Sequence, residues 1–568
     1  MSDYHAPVSE ISHTLSVVGF DALLGKAPFA DIDRETVEAV LQGAGEFTAG
    51  VLAPLNRVGD TKWPTIANNK VTASPGFADA YRQYRGGGWA GLSIDPKFGG
   101  QGLPTAVSLA KFEMVNAANM GFALCPILSE AVMDQLATNG SERQQKLYLP
   151  KLVSGEWTGT MILTEAQAGS DLSLVRAKAT KDGDHYRLTG QKIFITWGDH
   201  DCAENIIAIV LARLADAPPG VKGLSLFLVP KILVKEDGSL GAANTVRPLS
   251  LEHKLGIHGS PTCVMSYEGA YAEMIGRPGE GLALMFLMMN AARLQIGMQG
   301  VGLAERATQH ALAYAHERLQ GRSPWNAQNP APIFDLPDVR RMLTLMKAKT
   351  QAARSICLAT AVAGDLAEHA PNEHTRAAAK LRQEVLVPIA KAWSTDVGIE
   401  VASLGVQVHG GAGFIEETGA AQYYRDARIS AIYEGTNGIQ AMDLAGRKLG
   451  LEDGKAMRDL LIEMRSTKLA DKSLTASLHA SVAACERATD WMISHRGSPD
   501  ALGAAVTYLK LMGDTVGGWF LAKAADNESR LALARFYTAQ VMTLASGLAD
   551  TIEQGTAGCE NAGIFPPE

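Results

Sequence analysis

HYRLTGQKIFIT, residues 185–196, is the stretch on which the fold turns. β-Branched and aromatic residues crowd it, and no apolar position recurs at helical spacing, so it reads as a strand. Three more runs of this kind follow: NIIAIVLA (205–212), GLSLFLV (223–229) and TCVMSYE (262–268). Turn-forming pairs punctuate them at Asp182-Gly183, Pro218-Pro219-Gly220 and Asp237-Gly238. Closely spaced strands without intervening helices predict a small antiparallel barrel or sandwich between about Met161 and Ile275.

Outward from that unit the texture is helical on both sides. DRETVEAVLQGAGEFTAGVLAPL (33–55) carries Val37, Val40 and Leu41 at helical spacing, with acids early. Ser141 followed by Gln144 forms a capping-box signature and predicts a fresh helix after Gly140. YRGGGWAGL (84–92) and KFGGQGLPT (97–105) read as loops. After Gly281, the residues Leu294, Met298, Val301, Ala304, Ala311 and Ala315 draw one apolar stripe ending near Arg318. Helices over roughly 337–364 and 376–405 follow a proline-rich connection, PWNAQNPAPIFDLPD (324–338), and Ala-rich helices continue beyond Leu449. The expected class is mainly α with a central β domain. Its parts are an N-terminal helical domain (1–160), a middle β domain (161–280), a helical bundle (281–449) and a C-terminal helical extension (450–568).

Composition narrows the functional classes. The chain of 568 residues is 46% hydrophobic and 20% charged, with a net charge of −8. No Lys/Arg-rich block is present, which argues against nucleic-acid binding. Six cysteines are scattered singly, so neither a metal site nor a disulfide framework is expected. MSDYHAPVSE lacks a basic segment followed by an apolar one, which with the isolated cysteines predicts a cytoplasmic protein. The most apolar run (281–304) is broken by Asn290, Arg293 and Gln295, so it reads as a buried helix and no membrane span is expected.

Five stretches have the residue types of a binding site, and each has a plain structural alternative. LTEAQAGSDLS (163–173) offers hydroxyls and backbone N–H groups to a polar ligand, or forms a simple Asx/Ser turn. In KIFITWG (192–198), strand alternation puts Phe194 and Thr196 on one side, which suits a flat cofactor or an ordinary core pair. VQVHGGAGFIEE (406–417) lacks the GxGxxG spacing of a dinucleotide fold, leaving a diphosphate cradle or a flexible loop. HERLQGR (316–322) places Arg318 as a phosphate clamp or as a helix-end charge. IYEGTNGIQ (432–440) sets Glu434 between an aromatic ring and Gly-Thr, directly after an apolar segment.

Taken in order with KLGIHGS (254–260) and YRDARI (424–429), these stretches resemble the acyl-CoA dehydrogenase family from about Gly88 to Leu449. The resemblance implies helical, β and four-helix-bundle domains that hold FAD between them and across a subunit interface. It assigns Leu163, Thr164 and Ser170 to a loop contacting flavin or acyl-CoA. It sets Phe194 beside the flavin and points the Thr196 hydroxyl at its N5. It gives Arg318 to the FAD diphosphate of a partner subunit, with Gln407, Gly410 and Gly411 reciprocating. Thr436 would touch FAD, Arg293 would lie at the substrate end of the bundle, and Glu434 would be the catalytic base.

That base must abstract a weakly acidic α-proton, so it has to be buried against the substrate with a raised pKa. Gly435 would let backbone approach closely, and Tyr433 would help exclude water. Some family members carry the base just before the arginine that matches Arg293; here that position is Ala292, which leaves Glu434.

Three positions depart from the family pattern: Phe194 replaces the usual Trp, Gln422 a common basic residue, and Gly438 a frequent Gln. With the N-terminal segment and the tail after Leu449, they resemble a longer bacterial subgroup. That subgroup includes the 3-methylmercaptopropionyl-CoA dehydrogenases of dimethylsulfoniopropionate breakdown. The implied reaction is FAD-dependent desaturation of a short acyl-CoA, with an electron-transfer flavoprotein as acceptor and a homodimer as the assembly. Ordinary short- or medium-chain acyl-CoAs are the alternative substrates.

Overall fold

The sequence NIIAIVLARL, apolar at almost every position, becomes a strand buried on both faces. Its alternate residues Ile207, Ile209 and Leu211 join one core, while Ala208, Val210 and Ala212 join another. The computed structural model describes residues 4–559 and 562–564, so the first three residues of the N-terminal stretch lie outside it. The described chain divides into two compact units, one formed by Gly43–Ala292 and the other by the residues up to Gln42 and from Arg293 onward.

The helices before the sheet are α1 (Val8–Val17), α2 (Arg34–Phe47), α3 (Ala53–Thr61), α4 (Phe77–Gly86), α5 (Thr105–Asn139) and α6 (Glu142–Val153). A short hairpin, β1 (Thr65–Ala67) and β2 (Lys70–Thr72), lies among them. The capping box at Ser141 is formed: its hydroxyl accepts the Gln144 N–H, and the Gln144 side chain accepts the Ser141 N–H. Helix α5 is long and apolar enough to cross a membrane, but 94% of its most apolar window is buried inside the protein. That burial is the mark of a core helix.

The strands are β3 (Trp157–Ile162), β4 (Lys178–Asp182), β5 (His185–Thr196), β6 (Asn205–Leu214), β7 (Leu224–Pro230), β8 (Ile232–Val234), β9 (Leu240–Ala243), β10 (Val246–Leu251) and β11 (Thr262–Ile275). Pairings β11–β5–β4–β6–β7–β11 return to their start, so five strands close on themselves and β10 and β3 extend the ring. The expected antiparallel sheet is in fact mixed: β6 runs parallel to β3 and to β4. Between Ile195↔Cys263 and Lys192↔Met265 the register slips by one residue, and Phe194 has φ +61°. This bulge interrupts alternation before Phe194, while from Phe194 to Thr196 the buried Ile195 still alternates with two more exposed neighbours. Lys192 and Ile195, three apart, are both buried, while Phe194 is 59% exposed.

The second unit is helical. It takes the later part of α7 (Gly281–Glu317), then α8 (Pro337–His369), α9 (Glu373–His409), α10 (Ala420–Ala427) and α11 (Asn437–Asp443). The tail adds α12 (Lys455–Ser466), α13 (Lys472–Ser494), α14 (Pro499–Lys523), α15 (Glu528–Gln540) and α16 (Ala545–Ile552). Small residues set how closely α7 and α9 approach. A Cβ on Gly300 would lie 2.3 Å from the Ser394 carbonyl oxygen, and one on Gly398 would lie 2.8 Å from the Gly300 Cα. The tail is fastened to the same helix: a Cβ on Gly513 would meet the Trp393 ring at 2.3 Å, and Trp393 Nε1 donates to Asp514 Oδ1 at 2.9 Å. Helix α9 is thus gripped from both sides.

Because neither backbone can retreat, Gly300→Val is expected to lower the unfolding free energy by at least the ~1–3 kcal/mol typical of an overpacked core. Denaturant melts of wild type and variant measure it.

Candidate active site

IYEGTNGIQ folds into a tight reversal between the turn at Arg428–Ala431 and α11. Glu434 and Gly435 both take left-handed backbone conformations, with φ +54° and +85°. For glutamate this costs about 1–3 kcal/mol and persists only where surroundings enforce it. Gly435 is required twice over, by its φ and because a Cβ there would lie 2.8 Å from Gln440 Nε2. Thr436 is the N-cap of α11: its hydroxyl accepts the Ile439 N–H at 3.2 Å. The hydroxyl assigned to a cofactor contact therefore also holds the helix start.

Around this turn the bundle supplies buried polar groups. Arg293 on α7 is 3% exposed, and its Nη1 lies 3.6 Å from Asp443 Oδ2. The Tyr433 hydroxyl donates to Gln299 Oε1. Lys391 on α9 is fully buried, and its Nζ donates to Asn437 Oδ1 at 2.8 Å. Burial pushes the Glu434 carboxyl above its ordinary pKa, while Arg293 and Lys391 pull it back. Burial likewise lowers Lys391 to about 8, opposed by Asp396 and Glu434. Both amide atoms of Gln440, and Nε2 of Gln299, are buried with no protein hydrogen-bond partner among the described residues. Such orphaned groups are rare in a closed core and fit a site that takes a polar ligand.

In the β unit the predicted loop and strand residues come together. The Leu163 carbonyl accepts Lys192 Nζ at 2.8 Å, and the Thr164 carbonyl accepts the Ile193 N–H at 3.0 Å. Leu163 and Thr164 are thereby tied to the strand carrying Phe194 and Thr196, while Ser170 stands exposed further along the loop. Glu165 is taken up by internal partners. It is 5% exposed, accepts Lys192 at 2.9 Å, and receives the N–H groups of Arg176 and Ala177 at 2.8 and 3.0 Å. Lys192, fully buried, is held down at about 8 by burial against the pull of Glu165.

Arg318, Gln407, Gly410 and Gly411 form a third group, on the surface of the bundle. Arg318 follows α7 directly; Gln407 lies in the last turn of α9, and the two glycines follow that helix. The ends of the two helices pack through Tyr314 and His409, whose ring centroids are 4.4 Å apart. All four residues are exposed, and a Cβ on either glycine would meet nothing within 4 Å. Phe414, 85% exposed, lies just beyond.

Lys192, Lys391, Asn437 and the orphaned amides were not singled out as site residues from sequence. A signal existed for the first two, since a lysine inside KIFIT or VLVPIAKAW must be buried, and buried lysines are rare.

Family models match nearly the whole chain. They are described as acyl-CoA dehydrogenase N-terminal domain (residues 35–156), middle domain (160–270) and C-terminal domain (279–449), and acetyl-CoA dehydrogenase C-terminal like (460–562). The 3-methylmercaptopropionyl-CoA dehydrogenase of Ruegeria pomeroyi is 44% identical over 556 residues, covering 95% of this chain and 94% of that protein. The chain belongs to the acyl-CoA dehydrogenase family. This acyl-CoA dehydrogenase shares its fold with Caenorhabditis elegans ACDH-11 in complex with C11-CoA (TM-score 0.79, 20% identity, 98% of this chain and 96% of that one). It shares it also with a Bacillus anthracis acyl-CoA dehydrogenase complexed with FAD (TM-score 0.75, 22% identity, 94% and 91%).

Lys192→Met would strand Glu165 with two backbone donors and no counter-charge. Breaking a buried pair in this way costs roughly 3–5 kcal/mol. A lower melting temperature is expected, with faster amide hydrogen exchange in 163–170 than in the helices of the bundle.

Proposed function

We propose that the protein catalyses FAD-dependent α,β-dehydrogenation of a short acyl-CoA, 3-methylmercaptopropionyl-CoA, with Glu434 as base. The observation that carries the assignment is the glutamate itself. It is held in a strained conformation beside a glycine that admits close approach, and its pKa is raised by burial. A carboxylate so placed is a stronger base than one in water, which the weakly acidic α-proton demands. The choice of acyl group is supported by the 44% identical relative that spans almost the same length.

The residues fit a flavin. Phe194 offers a large exposed ring at the end of β5, Gly410 and Gly411 leave open space for a diphosphate, and Arg318 supplies a cation on the same helical surface. Leu163, Thr164, Ser170, Thr196, Gln407 and Thr436 would complete its contacts. When bound, the flavin supplies the acceptor for the hydride leaving Cβ. The chain does the rest. Glu434 takes the proton from Cα onto its carboxyl oxygen, and its backbone N–H stabilises the thioester oxygen as enolate character grows. Tyr433 and Arg293 pack beside it and exclude water. One proton and one hydride leave, and the product is methylthioacryloyl-CoA.

The same reading gives an electron-transfer flavoprotein as acceptor and a homodimer as the working assembly. The exposed Phe414 and Ile415, which follow Gly410 and Gly411 in the chain, support a second copy there. It also places the enzyme in the cytoplasm, where scattered thiols stay reduced.

Anaerobic addition of 3-methylmercaptopropionyl-CoA is expected to bleach the flavin faster than C4–C8 thioesters do. Equal or faster bleaching by the straight-chain thioesters would make it a general acyl-CoA dehydrogenase. Glu434→Gln is expected to keep FAD and acyl-CoA binding and lose bleaching by at least the ~10²–10⁴-fold of general-base removal. Arg318→Ala should leave Glu434 intact but lower the flavin retained through gel filtration.

A further inference from the structure

Holding a glutamate at φ +54° needs an external restraint, and the structure supplies it from α9. Asn437, three residues after Glu434, is the first residue of α11 and the hub of the contact. Its Oδ1 accepts Lys391 Nζ at 2.8 Å and the Thr395 hydroxyl at 3.3 Å. Its Nδ2 donates to Asp396 Oδ1 at 2.7 Å, to Thr395 Oγ1 at 3.0 Å and to the Ala392 carbonyl at 3.1 Å. One amide thus pins the turn to a full turn of α9, in the middle of the bundle.

Lys391 is the buried end of this contact. A fully buried ammonium persists only where negative or polar groups compensate it. The groups facing it are the Asn437 oxygen, the carboxylate of Asp396 and that of Glu434. Arg293 faces Glu434 from α7, but Asp443 at 3.6 Å shares its charge. Asp443 is in turn bonded by Arg447 at 2.7 Å, and Glu384 is paired with Lys448. Lys391 therefore contributes positive charge to Glu434, with Asp396 competing for it and the Arg293 guanidinium repelling it.

We propose that Lys391 is a positioning residue for the base: through Asn437 it holds the 433–437 turn in its left-handed form, and its charge keeps Glu434 ionised. The proposal rests on Glu434 being the base. Burial alone works against the ionised form, which is the one that can accept a proton. Too many cations would leave it ionised but weakly basic. A lysine one amide away moderates the first effect without making a direct ion pair that the substrate proton would have to break.

Two substitutions separate the two roles. Lys391→Gln keeps a donor for Asn437 but removes the charge. Asn437→Ala keeps the charge but cuts the link. Ionisation of Glu434 is read directly as the infrared band of its protonated carboxyl, identified by its absence in Glu434→Gln, and indirectly as the acid limb of kcat/KM. Losing a nearby cation disfavours the carboxylate. In Lys391→Gln both readouts are therefore expected to move upward by about one pH unit, which is a tenfold loss of kcat/KM below the limb. Asn437→Ala is expected to lower kcat with the limb where the wild type has it. An unmoved band and limb in a folded, flavin-replete Lys391→Gln would overturn the electrostatic role. An unchanged kcat in Asn437→Ala would overturn the positioning role, and remains decisive if Lys391→Gln does not fold. Turnover retained by Glu434→Gln would instead sink the base assignment on which both rest.

Discussion

A base for a weakly acidic C–H bond must be dry enough to be strong and wet or charged enough to be ionised, and Glu434, proposed here as that base, is surrounded by groups that act in both directions. Desolvation raises the carboxyl, while Arg293 and Lys391 restrain the rise. Satisfying both demands requires cations inside a helical core, and each of those needs compensation of its own. Hence Asp443 stands near Arg293, and Asn437 with Asp396 near Lys391. The unusual polarity of the bundle interior follows from one carboxylate.

The surrounding architecture can be understood as support for that arrangement. Glycines let α7 and α9 approach backbone to backbone, bringing Arg293 and Lys391 to the same turn. The C-terminal tail then grips α9 from its other side through Trp393 and Asp514. In the β unit a parallel device operates, where the buried Lys192–Glu165 pair ties the 163–164 backbone to β5. In both units a lysine inside an apolar segment holds a functional loop to a rigid element, which gives loop residues the precision of a helix or strand.

Much of this was legible in the sequence, for identifiable reasons. Strands reveal themselves by β-branched runs between turn pairs, and the middle unit stood out for that reason. The Ser141 box and the stripe on α7 are local patterns, and they form as expected. Glu434 could be singled out because an acid between an aromatic ring and Gly-Thr has no ordinary structural use. What failed was non-local. The parallel pairings of β6 depend on chain crossovers that no short window contains. The bulge at Phe194 arises from register against β11, which no local pattern announces. The pairing of Glu165 with Lys192 is likewise non-local, since its partner lies on a distant strand. Asn437 could not be recognised as a hub from sequence, because its partners lie more than forty positions away on α9.

The central claim is that Glu434 removes the α-proton, and exchange at that carbon tests it without relying on overall turnover. The protein would be incubated in D2O with an acyl-CoA thioester under anaerobic conditions, and deuterium at Cα followed by mass spectrometry. Wild type is expected to incorporate deuterium there, and Glu434→Gln, folded and still binding the thioester, is expected to incorporate none above the uncatalysed background. Exchange by Glu434→Gln at the wild-type rate would contradict the account and assign the base to another group.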